Sequence, residues 1–421
     1  MTRTRVAIIG GGIGGLTAAV ALRQRGFEVS VYEQSSQLGE IGAGVGVAPN
    51  AVKAFRALGL EKDLLAIGWT GEFQTMRNGV NGKIISRRPI ADSAIKFGAP
   101  HLTVHRAEFL DILVRALPES CIRTAARCVS IASRRDGAVA RFANGSEIGS
   151  DIVVGADGIH SAVRTSLFGP EAPRFTGCVC YRGLVPAADV PSSTNMKDTV
   201  LWMGPHGHIV HYPVKRGELL NVVAHFDSDA WTEESWTRKC DQAEVVATYK
   251  NWHESLQQLI NAHKTWYKWA LYDREPLEQW HVGRATLLGD SAHATLPYLG
   301  QGAAMAIEDG YVLALCLSTS EDPDEALRVY EQLRKTRTRR VVLASRARAK
   351  ENHLASPWDR FKRDVRIAIR NRFARDKTMF QGEWLYQYDV AAEGRQITAA
   401  SYPGPPNPHG YNEVGGPSAH R

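Results

Sequence analysis

Six cysteines in 421 residues leave little material for a covalent framework. Only Cys178 and Cys180 sit close together, and a C-x-C pair lacks the spacing of a zinc ligand set. The thiols are expected to be reduced, in a cytoplasmic protein with no metal. No stretch approaches the ~20 consecutive apolar residues that a membrane-spanning helix needs. The nearest candidate, residues 6–22, follows a basic start and is uncharged. It holds five glycines and runs into strand-like sequence without a small-residue cleavage site, so it is not read as a targeting segment. Internal repeats are missing too. What remains is ordinary globular composition, 44% hydrophobic and 23% charged, in a length that suits about two domains.

A formal net charge of +7 invites a polyanion-binding hypothesis. Its location weakens that idea. Residues 331–380 hold 16 Lys/Arg against 5 Asp/Glu, so the rest of the chain is slightly acidic. Arginines there alternate with Val, Leu, Ile and Ala, the pattern of a solvated helix face, and this reading is preferred to a nucleic-acid site.

Apolar runs at 6–10 and 28–33 flank a helical pattern at 13–25, which makes a strand–helix–strand unit at the start of the chain. A strand near 102 and a helix over about 107–117 follow. Runs at 127–134 and 139–143, punctuated by Asp136-Gly137 and Asn144-Gly145, predict an antiparallel meander, and 151–155 is a further buried strand. From about 177 to 271 the character changes: runs at 181–185, 199–203, 208–214 and 219–226 suggest a second, antiparallel sheet, with tryptophan-rich helical stretches after it. A short strand at 285–288 precedes long helices near 302–317 and 324–350, with helical pattern to about 373. Residues 396–421, rich in Pro and Gly, are expected to be a flexible tail.

Gly10-x-Gly12-x-x-Gly15 follows the first strand and opens the first helix. Glycines serve a tight turn, close backbone approach to a pyrophosphate, and helix–strand contact, while the helix N-terminus offers free N–H groups to phosphate. Glu33, ending the second strand with Gln34 beside it, can accept from ribose hydroxyls and disfavours a 2′-phosphate. A dinucleotide is expected here.

Two further motifs specify which dinucleotide. Gly155-Ala156-Asp157-Gly158-Ile159-His160-Ser161-Ala162-Val163-Arg164 resembles the "DG" motif of flavoprotein aromatic hydroxylases. Gly289-Asp290-Ser291-Ala292-His293, with Pro297 and Gln301-Gly302-Ala303-Ala304-Met305-Ala306-Ile307-Glu308-Asp309, resembles their "GD" motif. The chain is similar, from Val6 to about Asp389, to single-component FAD monooxygenases of the para-hydroxybenzoate hydroxylase superfamily. Within it, the chain looks nearest to salicylate hydroxylase, 3-hydroxybenzoate 6-hydroxylase and 6-hydroxynicotinate 3-monooxygenase.

The resemblance implies an α/β fold: a Rossmann-like FAD-binding domain of the GR2 type, an inserted, mainly antiparallel substrate domain, and C-terminal helices. It divides the chain into FAD-binding segments 1–75, 102–170 and 275–345, substrate-binding segments 76–101 and 171–274, C-terminal helices over 346–395, and the tail. It implies non-covalent FAD held by Gly10, Gly12, Gly15, Glu33, Gln34, Val47, Arg106, Val129, Asp157, Asp290, Gly300, Gly302 and Ala303. Asp290 would bond a ribityl hydroxyl, Arg106 would contact FAD, and Val129 would meet the adenine end. The helix opened by Gln301-Gly302 would aim its positive N-terminus at the anionic pyrimidine edge of reduced flavin. The loop from Gly42 to Asn50, which includes Ala43, would border the ring. Asp157 and Arg164 would hold the motif's own backbone or assist the nicotinamide. One fingerprint serves one dinucleotide, so NADH or NADPH is implied as a transient co-substrate.

Strand alternation in GHIVHYPV puts His208, Val210 and Tyr212 on one face and Ile209 and His211 on the other. By resemblance, His208 and Tyr212 are the expected catalytic pair and contact the substrate, together with Pro297 and Gln301. The implied chemistry is hydroxylation of a small phenolic acid by a flavin C4a-hydroperoxide. A base near the phenol oxygen helps, because phenolate pushes charge onto its ortho and para carbons. Salicylate to catechol and CO2 is the leading expectation. 3-Hydroxybenzoate to gentisate is next, then 6-hydroxynicotinate, which Gly46-Val47 disfavours because the nicotinate enzymes carry a His in that loop. Arg182 and Arg216 are the obvious cations of the substrate segment, and a structural role is preferred for Arg182. Expected partners are the aromatic acid, O2 and NAD(P)H, with no nucleic acid or membrane, in a monomer or homodimer. A colourless NAD-dependent dehydrogenase, a flavin oxidase and a non-enzymatic polyanion binder are the competing readings.

Overall fold

The computed structural model describes residues 3–39, 44–228, 238–373 and 382–393. Gly42 and Ala43 of the glycine-rich loop and the tail 396–421 lie outside the described residues. The short apolar runs assemble into a six-stranded sheet ordered His281–Val282, Ala285–Leu287, Ile152–Gly155, Arg5–Ile9, Glu28–Tyr32 and Ile122–Arg123. All but the His281–Val282 edge pair in parallel. Strands covered on both faces read as continuous apolar segments, as RVAII and IVVG do. The helix Ile13–Gln24 buries ten of its twelve residues against this sheet and the helix Gly302–Thr319. The meander is present as a three-stranded antiparallel sheet, Cys128–Ser133, Ala138–Phe142 and Glu147–Ser150.

A second sheet has eight strands, ordered Lys239–Cys240, Trp266–Asp273, Arg174–Pro186, Leu219–Asp227, Gly207–Val214, Thr199–Gly204, Phe73–Asn78 and Ile84–Pro89. It is antiparallel except where Phe73–Asn78 runs parallel to Thr199–Gly204. The helices Gln242–Thr248 and Glu254–Ala262 cover one face, over a core of Trp202, Tyr249, Trp252 and Trp266. Trp266–Asp273 corrects the expectation of helix in this region. WYKWALYD pairs with strands on both sides, and sheet burial overrides its mixed propensity.

The helix Pro323–Asn352 runs 30 residues from one sheet to the other. Its start is set by Asp322, which accepts from the Asp324 amide at 3.0 Å, and by Pro323 in the first turn. Near its beginning Glu331 accepts from the Trp280 amide, and near its end Arg346 reaches Asp273. The basic segment is therefore not simply a solvated face. Arg334 and Arg363 are buried, Arg337 pairs with Glu308 and Arg346 with Asp273 and Glu275. Much of its charge neutralises acids contributed by the rest of the chain. Among the described residues no helix is long and apolar enough to cross a membrane, and all six cysteines are free thiols.

Candidate active site

A cavity of about 610 Å³ lies between the two sheets. Gly12, Arg106, Asp290, Pro297, Gly300, Gly302 and Ala303 line it on the dinucleotide side, and His208 and Tyr212 on the other. Of the fingerprint glycines, only Gly12 reaches the wall. A Cβ on Gly15 would sit 2.0 Å from the Gly10 carbonyl oxygen, so Gly15 is where helix meets strand, and Gly10 turns with φ 111°. A Cβ on Gly12 would meet nothing within 4 Å, leaving the helix N-terminus open to a ligand.

The carboxylates at this end work on the backbone as well. Glu33 accepts from the Gly11 amide at 2.7 Å and the Ser35 amide at 2.8 Å, so it shapes the glycine turn. Asp157 accepts from the Ser161 hydroxyl at 2.5 Å and the Ala162 amide at 2.7 Å, tying down the start of the helix Ala162–Phe168. Arg164 pairs with Glu171 and bonds the Ser291 carbonyl, a structural arrangement. Asp290 is exposed on the cavity wall, and desolvation there pushes its carboxyl up while His293 and Arg106 pull it down. A helix N-terminus with free amides, an arginine and a carboxylate acceptor along one cavity are a donor and acceptor set that fits FAD. Gln34 is exposed, Val47 is in the core, and the Val129 side chain points outward, 50% exposed. None of the three lines the cavity through its side chain.

Gln301 departs from expectation. Its side chain is buried rather than cavity-facing, and its Oε1 accepts from Asn50 Nδ2 at 3.0 Å. Asn50 also bonds Glu308, which opens a buried network that sequence reasoning did not identify. Arg334 joins Glu308 at 2.6 Å and Asp309 at 2.7 Å, all three fully buried. Asp309 in turn accepts from His293 Nε2 at 2.6 Å and from the Gly289 amide at 3.1 Å. The network anchors the chain on either side of Asp290.

On the substrate side, alternation is as expected. Ile209 packs among Val200, Trp202 and Val222 in the covered core, and His211 accepts from the Trp202 indole at 3.2 Å. His208 and Tyr212 face the cavity from the opposite side of the strand. Tyr212 is seated against Gly44, where a Cβ would lie 2.6 Å from the ring, and Asn221 accepts from the Gly44 amide at 2.9 Å.

Three residues around His208 were not foreseen. His225, directly opposite in register, stacks on it at 4.4 Å with rings 12° apart. His353, beyond the end of the long helix, contacts His208 Nδ1 through its Nε2 at 2.8 Å. Asp227 then holds His353 Nδ1 at 2.5 Å. Desolvation, with His225, His353 and Arg348 nearby, holds His208 well below the usual imidazole range; desolvation takes His225 to about 3. Both rings are therefore neutral at neutral pH, and His208 can accept a proton. Cys178, Asp227 and His353 offer one donor atom each within 4.8 Å of one another. The Cys178 thiol, however, accepts from the Tyr298 hydroxyl, and burial pushes it up to about 12, opposite to what a metal-bound thiolate requires. Arg182 also lines the cavity, stacked 4.9 Å over Trp269.

Residues 3–345 match the family described as "FAD binding domain". The chain is 37% identical over 394 residues to 3-amino-4-hydroxybenzoate 2-monooxygenase PtmB3 of Streptomyces platensis, covering 93% of this chain and 98% of that one. It is likewise 37% identical over 396 residues to 3-hydroxybenzoate 6-hydroxylase of Polaromonas naphthalenivorans, with 91% and 96% covered. Among solved structures it is similar to Klebsiella pneumoniae HpxO complexed with FAD and uric acid, at TM-score 0.80 and 28% identity, with 95% and 97% covered. A salicylate hydroxylase substrate complex gives TM-score 0.79 and 28% identity, with 93% and 97% covered. The glycine turn, the Asp290 acceptor and the open helix terminus thus have their explanation in kinship: the chain belongs to the FAD binding domain family, among its FAD-dependent aromatic-ring monooxygenases.

Proposed function

We propose that the protein hydroxylates a small hydroxybenzoate with O2 and NADH or NADPH, with His208 as the base that ionises the phenol. The observation that carries this reading is the pairing of His208 and Tyr212 on the cavity wall facing Asp290, Pro297 and Gly302. Bound FAD, once reduced, supplies oxygen activated as an electrophile. The chain's own part is to make the ring nucleophilic and hold it still. A neutral His208 accepts the phenol proton, and the phenolate pushes charge onto its ortho and para carbons. Tyr212, its hydroxyl pushed above the ordinary phenol range by burial, stays protonated and donates to the substrate. Arg182 gives the wall a cation suited to a carboxylate.

The motifs alone put salicylate first. The relatives named for hydroxybenzoates support a different order, because those names specify hydroxylation at ring carbons 2 and 6 rather than at the carboxylate-bearing carbon. We therefore place 3-hydroxybenzoate first and salicylate second. Purified yellow protein is mixed with NADH and then NADPH against 3-hydroxybenzoate, salicylate, 3-amino-4-hydroxybenzoate and 6-hydroxynicotinate, with products identified. Gentisate from 3-hydroxybenzoate is the expected result. Catechol and CO2 from salicylate would install the second reading, and no stimulation by any of the four would overturn the assignment of the His208–Tyr212 wall.

A further inference from the structure

The established fold explains a cavity with a base in it, but not where the base sends its proton. His208 is 3% exposed and sits under Tyr298 and beside His225, a location from which water is largely excluded. A buried imidazole that takes a phenol proton becomes a buried cation, which is unfavourable unless the charge moves on.

We propose that His353 and Asp227 form a proton-exit relay for His208, carrying the substrate's proton from the cavity to the protein surface. This rests on the reading of His208 as the base. The geometry is continuous: His208 Nδ1 to His353 Nε2 is 2.8 Å, and His353 Nδ1 to Asp227 Oδ1 is 2.5 Å. Exposure rises along it. The His353 side chain is 7% exposed and that of Asp227 is 41%, so the last member meets water. Three different elements supply the members. His208 comes from the strand Gly207–Val214, Asp227 ends its antiparallel partner Leu219–Asp227, and His353 ends the helix Pro323–Asn352.

The transfer balances without any electron changing hands. The substrate O–H bond breaks as a bond forms to His208 Nε2. The His208 Nδ1–H bond breaks as His353 gains a proton at Nε2, and the His353 Nδ1–H bond breaks as Asp227 Oδ1 is protonated. The carboxylic acid then gives its proton to water. Both imidazoles end in the opposite tautomer, and the same steps in reverse, when the product phenol takes up a proton, restore them.

The surroundings favour travel outward. Arg348 faces His208 from the long helix and discourages a cation resting there, as does the stacked His225. Tyr298 and Cys178 complete the wall around His353, with the Tyr298 hydroxyl committed to the thiol. At the outer end His206 approaches Asp227 at 3.9 Å. Glu351 is taken up by Arg348 at 2.8 Å, so Asp227 is the carboxylate that His353 contacts, and its charge draws the proton along the chain.

The test compares His353→Gln, Asp227→Asn and His208→Gln holoenzymes, with 3-hydroxybenzoate as the probe, or salicylate where the wild type prefers it. Product formation is followed between about pH 6 and 9. For His353→Gln we expect kcat to fall about 10- to 100-fold near neutral pH with KM changed less than about twofold. The deficit should shrink as the pH rises, because hydroxide replaces the lost acceptor, and added imidazole should restore part of the rate to His353→Ala. Asp227→Asn should follow the same pH pattern. Wild-type kcat and pH profile in His353→Gln, beside a loss in His208→Gln, would overturn the relay and leave the base in place. Full turnover in His208→Gln would overturn both. A loss in His353→Gln that is equal at every pH, with no imidazole rescue of His353→Ala, would mark His353 as a structural residue and also overturn the relay.

Discussion

Arg334→Met removes the centre of the buried network that bonds Glu308 and Asp309 of the helix Gly302–Thr319, and its cost can be worked from the geometry. Arg334, Glu308 and Asp309 are all 0% exposed. Burial alone would raise both carboxyls, but Arg337 and Arg334 hold Glu308 below the usual range, and His293 and Arg334 do the same for Asp309. Removing one partner from a buried ion pair leaves charge uncompensated, at a cost of about 3–5 kcal/mol. With unfolding entropy of about 2.1 cal/mol/K per residue and the chain unfolding as one unit, that corresponds to a fall in Tm of roughly 3–6 °C. Arg339→Met is the control. Its pair with Glu278 is 49% and 78% exposed, where the loss should stay below about 1 kcal/mol. The acid limb should move as well. Carboxylates with depressed folded pKa values contribute stability above about pH 4 that is lost as the pH falls through the folded value, and without Arg334 that loss begins at higher pH. Because Asp309 also holds the Gly289 amide next to Asp290, Arg334→Met should release FAD more readily on dilution. Thermal melts and denaturant titrations of both holoproteins, with FAD retention by absorbance, measure all three effects. Equal Tm losses in the two variants would refute the reasoning, since the buried network would then count for no more than a surface pair.

Gly44→Ala places a Cβ 2.6 Å from the Tyr212 ring and 2.7 Å from Asn221, whereas Gly46→Ala meets only His101 at 3.9 Å. Overpacking costs about 1–3 kcal/mol, so Gly44→Ala should lose about that much stability and Gly46→Ala less, and equal melting temperatures would show that Tyr212 is not held by this contact. Burial lowers His101 and His263 to about 4 and His211 and His225 to about 3. These rings are neutral when folded but bind protons near pH 6.5 when unfolded, so stability is full above that value and falls as the pH drops toward 4, at up to about 1.4 kcal/mol per pH unit for each ring. Melting temperature should therefore decline from about pH 6.5 downward, and a flat profile to pH 4.5 would contradict the buried neutral assignment.

How far the site could be read in advance depended on how local its chemistry is. The glycine turn, Asp290 and the alternation of His208 with Tyr212 are each set within a few residues, by backbone sterics or by the two-residue period of a strand, and they were legible. His225 and Asn221 lie one hairpin away. The positive φ of Lys215, Arg216 and Gly217 fixes a register in which His208 faces His225 and Tyr212 faces Asn221, and that pairing follows from the turn once it is recognised. His353 had no such signal. It lies 145 residues from His208, and only the length and direction of the helix Pro323–Asn352 bring it there. The same helix turned the arginines of the basic segment inward, where the alternation of Arg with Val and Leu suggested solvent. Gln301 shows the converse: its motif was recognised, but the direction of its side chain was decided by Asn50, some 251 residues away. Binding of the dinucleotide is thus written in short-range pattern. The surroundings of His208 and the network under the helix Gly302–Thr319 depend on contacts between elements far apart in the chain. Substitutions in the long helix should accordingly alter rate and pH dependence while leaving the glycine fingerprint and its affinity for the dinucleotide largely intact.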